Sequence, residues 1–291
     1  MSMEASAPSS SPLRLNNKVS QGDYEWVREF LRRECAISLS AGKEYLVSSR
    51  MTPLIRQYGF NDIAELIEAV RQDQTSPLAG ELVDAMTTNE TSFFRDVHPF
   101  DSLRDNVLPE LIPARSATKR LQIWSGACSS GQEPLSIAML IRENFPELND
   151  WNIQIIGTDI SRSILAKAEK GEYSQLEVNR GLPARLLVKY FDRHGARFRV
   201  KDELMQMVKY AHLNLAKEWK DLPTFDVIFL RNVLIYFEDD TKASILRQAR
   251  EHLADDGWLA LGGAETTRRV PNMDFSRHLV GRTVWYRACR G

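Results

Sequence analysis

Two hydrophobic periodicities divide the chain. Over residues 20 to 86 apolar positions recur every three or four residues, the helical period. In "SQGDYEWVREFLRREC", Tyr24, Val27, Phe30 and Leu31 share one face, and Ser20 and Asp23 stand at capping-box spacing. "KEYLVSSRMTPLIRQYG" repeats the period and stops at Gly59. Asn61 or Asp62 can cap "IAELIEAVRQD", and Pro77 suits the first turn of a fourth helix ending near Met86. The expectation is a small all-α domain with no strand.

From about residue 120 short apolar runs alternate with amphipathic helices. "RLQIWS", "IQIIGTD", "FDVIFLRN", "GWLALGG" and "TVWYRA" read as strands, while "EPLSIAMLIREN", "SRSILAKAEKG" and "TKASILRQAREHL" read as helices. Such alternation implies a parallel, doubly wound α/β sheet. It breaks down between about 172 and 214, where "ARFRV" and "QMVKYAHL" look like strands of a small antiparallel insertion, either separate or a ribbon on the edge of the main sheet. Residues 87 to 119 join the two regions, partly as the helix "HPFDSLRDNVLPEL". The expected organisation is a disordered tail over 1–19, a helical domain over 20–86, a linker over 87–119 and an α/β domain over 120–291.

Composition narrows the functional classes. The 291 residues carry a formal net charge of −1, so no global basic field draws the chain to nucleic acid. Cys35, Cys128 and Cys289 are far apart and lack CxxC or Cys/His spacing, which implies neither a disulfide framework nor a zinc site. No apolar run approaches the roughly 18 residues of a membrane span. The first nineteen residues are rich in Ser, Ala and Pro, without the apolar core of a signal peptide. A cytoplasmic protein is the expectation, and in that compartment the sequon Asn89-Glu90-Thr91 goes unused.

In a doubly wound fold the ligand site lies beyond the carboxyl ends of the strands. Four segments should deliver residues there. In "WSGACSSGQEP", Gly126, Ala127 and Gly131 allow close backbone approach, but the spacing is not GxGxxG, and Glu133 suits an ammonium better than a phosphate. A tight strand-to-helix turn without ligand explains the glycines equally. Asp159 ends a strand where an acid can hold ribose hydroxyls, or can cap the next helix. Asn214 and Leu215 can read an adenine edge and pack its face, or simply form a turn. Arg231 and Asn232 follow a buried strand, with Tyr236 one helical turn later; an arginine there needs a partner, in the simplest case a neighbouring acid. A glycine turn, a ribose acid and an adenine amide without a phosphate grip suggest S-adenosylmethionine.

Taken in order, "TTNETSFFRD", "WSGACSSGQEPLSIAM", "GTDIS" and "FLRNVLIYF", behind an N-terminal helical domain, resemble the CheR-type chemotaxis receptor methyltransferases. The resemblance covers nearly the whole chain from about residue 20. It implies a Rossmann-like class I methyltransferase domain with a small antiparallel β insertion, preceded by an all-α domain. It implies methyl transfer from S-adenosylmethionine to glutamate carboxylates of chemoreceptors, leaving S-adenosylhomocysteine. By motif, the cofactor-binding positions are Asn89, Thr91, Arg95, Ala127, Glu133, Asp159, Asn214, Leu215, Arg231 and Asn232, and the catalytic positions are Arg95 and Tyr236.

The implied partner is the cytoplasmic helical bundle of chemoreceptors. Lys43, Arg50 and Arg56, with Arg28, Arg32 and Arg33, form a candidate basic face, though Glu29, Glu34 and Glu44 nearby make ordinary solvated helix faces the competing reading. Three departures stand out. The turn in "YFDRHGARFRV" is short, which argues against docking of a receptor's C-terminal tether; Gln132 stands where many relatives have Glu; and "GGAETTRRV" replaces a SENF-like segment. A different methyl acceptor, or a non-enzymatic adaptor that senses S-adenosylmethionine, are the alternative functions.

Overall fold

The computed structural model describes residues 18–267 and 275–288. Most of the tail expected over 1–19, and the last part of "GGAETTRRV", lie outside these residues. Val19 is already buried, so packing begins before residue 20. The chain divides into two compact units: one takes residues up to Phe30 and Leu39–Met86, the other Leu31–Ser38 and the chain from Thr87 onward.

The smaller unit is built from α1 (Gln21–Cys35), whose last turn falls in the larger unit, with α2 (Glu44–Tyr58), α3 (Ile63–Gln72) and α4 (Pro77–Met86). Its ends form where local chemistry dictates. The Ser20 hydroxyl accepts the Asp23 N–H at 3.1 Å, Asp62 accepts the Glu65 N–H at 2.9 Å, and Gly59 closes α2 in the left-handed region at φ 73°. Val27, Phe30, Val47, Met51, Ile55 and Leu66 are its buried apolar stripe. The basic residues here have local duties that the sequence does not announce. Arg50 donates to the Met86 carbonyl at 2.5 Å, where a cation suits the C-terminus of α4, and Arg28 donates to the Leu39 carbonyl at 2.8 Å. Lys43 and Arg56 are exposed.

In the larger unit, α5 (His98–Ser102) and α6 (Leu108–Arg115) flank a π-helical turn, Leu103–Val107. There follow β1 (Arg120–Gly126), α7 (Gln132–Asn144), β2 (Asn152–Asp159), α8 (Arg162–Lys170), β3 (Glu172–Ser174), α9 (Gln175–Asn179), α10 (Ala184–Tyr190), β4 (Phe191–His194), β5 (Arg197–Val200) and α11 (Asp202–Met205). The chain continues through β6 (Val208–His212), β7 (Phe225–Leu230), α12 (Asp239–Glu251), β8 (Leu253–Leu261), β9 (Phe275–Val280) and β10 (Thr283–Ala288). The main sheet has the order β6-β2-β1-β7-β8-β10-β9, and a second, antiparallel sheet has the order β3-β5-β4.

The strand within "QMVKYAHL" therefore lies at the edge of the main sheet, one of the two places expected for it, but it is not an antiparallel partner of "ARFRV". It pairs parallel with β2, Tyr210 opposite Gly157. Its mostly exposed positions are those of an edge strand, and period alone cannot tell one sheet's edge from another's. β9, for which no strand was expected, completes the far edge antiparallel to β10.

β1 and β7 are buried at nearly every position, as strands covered on both faces must be. Asp226 interrupts the apolar run of β7. Its carboxylate accepts the Gln122 N–H at 2.7 Å and pairs with Arg115 at 2.6 Å, which also forks onto Asp256 at 2.8 and 2.5 Å. This clasp lies at the amino end of β7. At the carboxyl ends, Gly126 stands beside Thr158 on one side and Leu230 on the other, so the loops after β1, β2 and β7 emerge together where the strand order reverses.

Candidate functional site

Backbone strain gathers at these loop ends. Ala127, Ser129 and Asn232 take φ of 55°, 52° and 59°, and Phe94, Asp96 and Val97 in the preceding segment take 47°, 67° and 53°. Such conformations cost of order 1–3 kcal/mol each and persist only where surrounding bonds over-determine them. After β1 those bonds are visible. Asp159 accepts the Ser129 N–H at 2.8 Å and the Ser161 N–H at 3.0 Å, holding the β1–α7 and β2–α8 loops to one carboxylate. The cap of α8 is instead Ser161, which accepts the Ile164 N–H, so the helix-cap alternative for Asp159 falls to its neighbour.

Behind the loop stand two tyrosines. Tyr173 donates to the Ser130 carbonyl at 2.7 Å, and the Tyr210 hydroxyl lies 2.5 Å from where a Cβ on Gly131 would sit. Gly131, at φ 88°, is thus required by conformation and by space alike. Gln132 is buried and accepts the Ser130 hydroxyl at 2.8 Å, a neutral role that avoids adding a buried charge beside Glu133. Burial, with the charges of Asp159 and Glu133, pushes the Cys128 thiol well above its ordinary range, which favours the neutral, packed thiol.

The electrostatic centre is Arg231. Its side chain, 1% exposed, pairs with Glu133 at 2.7 Å and Asp96 at 2.6 Å, and donates to the Arg95 carbonyl at 3.1 Å. Glu133 also accepts the Ser125 hydroxyl at 2.8 Å. The arginine at the end of a buried strand has found its acids, as the simplest sequence reading requires. One donor, Nε, is buried with no acceptor among the described residues.

The segment "TTNETSFFRD" folds back onto these loops. The Asn89 carbonyl accepts the Ser129 hydroxyl at 2.8 Å, the Phe94 N–H donates to Ser136 at 3.0 Å, and Asp96 reaches Arg231. Phe93 anchors it: the ring is fully buried, with its centroid 5.1 Å from Tyr173 and 5.7 Å from Phe191. Arg95 donates to the Glu90 carbonyl at 2.9 Å and stays half-buried, as do Asn89 and Thr91.

The remaining expected positions have mixed duties. Asn214 donates its amide to the Glu34 carbonyl at 2.7 Å and accepts the Ala216 N–H at 3.0 Å, the turn role rather than an open adenine-reading edge. Leu215 is buried in the cluster containing Trp124 and Trp219. Asn232 opens the turn after β7, and Tyr236, half-buried, ends its 3₁₀ segment Leu234–Tyr236. The structure thus brings Asn89, Arg95, Ala127, Glu133, Asp159, Arg231 and Asn232 to adjoining loop ends. Sequence reasoning missed Asp96, Ser125, Ser129 and Glu265. All four lie in segments singled out above, Asp96 directly after the catalytic candidate Arg95, but nothing in those segments marked the individual residues.

This geometry fits a small cationic cofactor that lacks phosphate. Asp159 takes the Ser129 N–H, so that donor is not free to bind a phosphate as in a dinucleotide fold. Acids outnumber cations around the loops, and the unpaired Nε–H of Arg231 suits one ligand carboxylate.

The chain matches two family models, "CheR methyltransferase, all-alpha domain" over residues 22–87 and "CheR methyltransferase, SAM binding domain" over residues 89–279. Chemotaxis protein methyltransferase 1 of Pseudomonas aeruginosa is 44% identical over 255 residues, 86% of this chain and 92% of the relative. Chemotaxis protein methyltransferase Cher2 of Pseudomonas putida is 41% identical over the same shares. Chemotaxis protein methyltransferase 1 of Vibrio cholerae is 41% identical, covering 85% of this chain and 90% of the relative.

Proposed function

The chain belongs to the CheR methyltransferase family, and from that premise we propose that it transfers the methyl group of S-adenosylmethionine to glutamate carboxylates on the cytoplasmic helices of chemoreceptors. The observation that supports this most is the fold-back of residues 87–97 onto the loops after β1 and β7 through Ser129 and Arg231. It gathers Asp96, Ser129, Glu133 and Arg231, far apart in sequence, at adjoining loop ends. The cofactor supplies an activated methyl on a sulfonium centre. Asn89, Thr91, Ala127, Glu133, Asp159, Asn214, Leu215, Arg231 and Asn232 would hold it. The Asn214 side chain is engaged in its turn, so reading adenine through it requires those two hydrogen bonds to open.

A glutamate side chain is already ionised at neutral pH, with an ordinary pKa of about 4.3. It needs no strong general base. What the protein must do is remove water from it and hold it in line, a positioning task. Arg95 and Tyr236 orient the carboxylate without exchanging protons. A firmer grip would work against the reaction, since the carboxylate loses its charge as it attacks, and tight donors would stabilise the ground state more than the transition state.

Receptor docking falls to the exposed Lys43 and Arg56, because Arg28 and Arg50 are committed to backbone carbonyls. The β4–β5 hairpin turns over Gly195 and Ala196 alone, which supports the reading that no receptor tether docks there. Among the described residues no helix is long and apolar enough to cross a membrane; we assign the enzyme to the cytoplasm, where those receptor helices lie.

The test is radiolabelled methyl transfer to receptor-containing membranes, followed by mild alkali. Release of the label as methanol is expected of a glutamate ester. Label that survives alkali, or none incorporated, refutes the assignment.

A further inference from the structure

The geometry points to Glu265 as the positioning residue that sets the turn carrying Asn232 and Tyr236, an inference that rests on the function proposed above. Glu265 lies in "GGAETT", just beyond β8. Its carboxylate accepts four backbone N–H groups. One oxygen takes Val233 at 2.9 Å and Leu234 at 2.7 Å; the other takes Asn232 at 2.8 Å and Gly262 at 2.7 Å. Both oxygens therefore work at capacity.

The need for this acceptor follows from how β7 ends. Leu230 is in register with Leu261 of β8, and the chain then leaves the sheet through Arg231 to the left-handed Asn232 and the 3₁₀ segment Leu234–Tyr236. The first N–H groups of such a turn have no acceptor within it. Glu265 supplies one for three consecutive residues, with charge-assisted bonds roughly twice as strong as neutral ones. Close packing makes the fit specific. A Cβ on Gly262 would lie 2.6 Å from the Glu265 carboxylate and 2.9 Å from the Asn232 nitrogen, so only glycine admits both. The Ser38 N–H, donating to the Tyr236 carbonyl at 3.1 Å, holds the other end of the turn. The left-handed conformation of Asn232 and the direction of the Tyr236 ring are thus set by a residue about 30 positions later, which touches neither side chain's reacting end.

Glu265→Gln tests this, since an amide offers one acceptor oxygen and turns two N–H donors toward the turn. In cofactor-free protein, hydrogen exchange should speed up in a peptide spanning residues 231–237 and stay unchanged across β1 and α7. In the methyl-transfer assay kcat should fall about 10–100-fold, the scale of an ångström misplacement. Tyr236→Phe alone should cost less. The double variant Glu265→Gln/Tyr236→Phe should be no slower than Glu265→Gln within about threefold, because a displaced hydroxyl has little left to lose. Unchanged exchange in that peptide, exchange raised throughout the unit, or multiplicative losses in the double variant would overturn the inference. Should the Gln variant not fold, Glu265→Asp, one methylene too short to serve all four donors, carries the same cycle. Wild-type protein that methylates no receptor refutes the proposed function; the exchange experiment then still decides whether Glu265 sets the turn.

Discussion

Replacing Arg231 by leucine removes the charge on which the site is assembled, and the cost can be apportioned from the structure. Three interactions disappear, and they are unequal. Asp96, whose side chain is 42% exposed, returns to water, so its ion pair contributes only about 0–1 kcal/mol. The Arg95 carbonyl loses one hydrogen bond, worth about 1 kcal/mol. Glu133 is different: at 12% exposure it keeps only the Ser125 hydroxyl, and stranding a buried carboxylate costs about 3–5 kcal/mol. Leucine against Phe100, over which the guanidinium now lies, offsets part of this. A net loss of ~3 kcal/mol follows, which for a unit of this size lowers Tm by ~6–12 °C. Tryptophan fluorescence is the assay, because Trp124, Trp151, Trp219, Trp258 and Trp285 lie in the larger unit and Trp26 alone in the smaller. The decisive arm is the double variant Arg231→Leu/Glu133→Gln. If the stranded charge is the main cost, the double variant is more stable than Arg231→Leu by about 1–2 kcal/mol. A double variant less stable than the single, with additive losses, would show that the arginine stabilises by packing and that the electrostatic account is wrong.

Other outcomes follow from single observations. Gly181→Ala places a Cβ 2.0 Å from the Phe93 carbonyl at φ 85°, so it should cost at least about 2 kcal/mol in urea unfolding and disturb the segment anchored by Phe93; a neutral substitution refutes the contact. Arg115→Met strands Asp226 at the amino end of β7 and should cost about 3 kcal/mol while leaving Kd for S-adenosylmethionine unchanged within about twofold; a cofactor-binding defect would show that the two ends of the sheet are coupled. Tyr236→Phe should lower kcat about tenfold with cofactor affinity intact, whereas a pH–rate profile governed by tyrosine ionisation sinks the orienting role. The hydrogen bond from Arg115 holds the Asp256 carboxyl below its ordinary range, and that from Lys189 does the same for Glu143. Depressed carboxylates contribute stability that is present above their unfolded pKa near 4 and lost as pH falls through the folded value. The urea midpoint should therefore hold from pH 7 to about 5 and drop below about 4; a midpoint flat to pH 3 refutes this.

The local order of this protein is written in its sequence. The caps at Ser20 and Asp62, the stop at Gly59 and the apolar runs of β1 and β7 depend on residues a few positions apart, and they appear where spacing places them. The ordered motifs also led, through family resemblance, to residues that do meet at adjoining loop ends. Pairing partners were not legible. The strand around Tyr210 looks the same whether it edges the small sheet or the large one, and only the tertiary fold seats it beside Gly157. The same holds for function at the site. Arg231 needs an acid, but which acids depends on a segment 135 residues earlier folding back. Glu265 lies in the segment that stands in place of a SENF-like sequence, but its role is to receive backbone N–H groups, and those have no sequence signature. Periodicity and caps are short-range properties of a chain, whereas charge pairing and backbone satisfaction are settled only when distant segments share one buried volume.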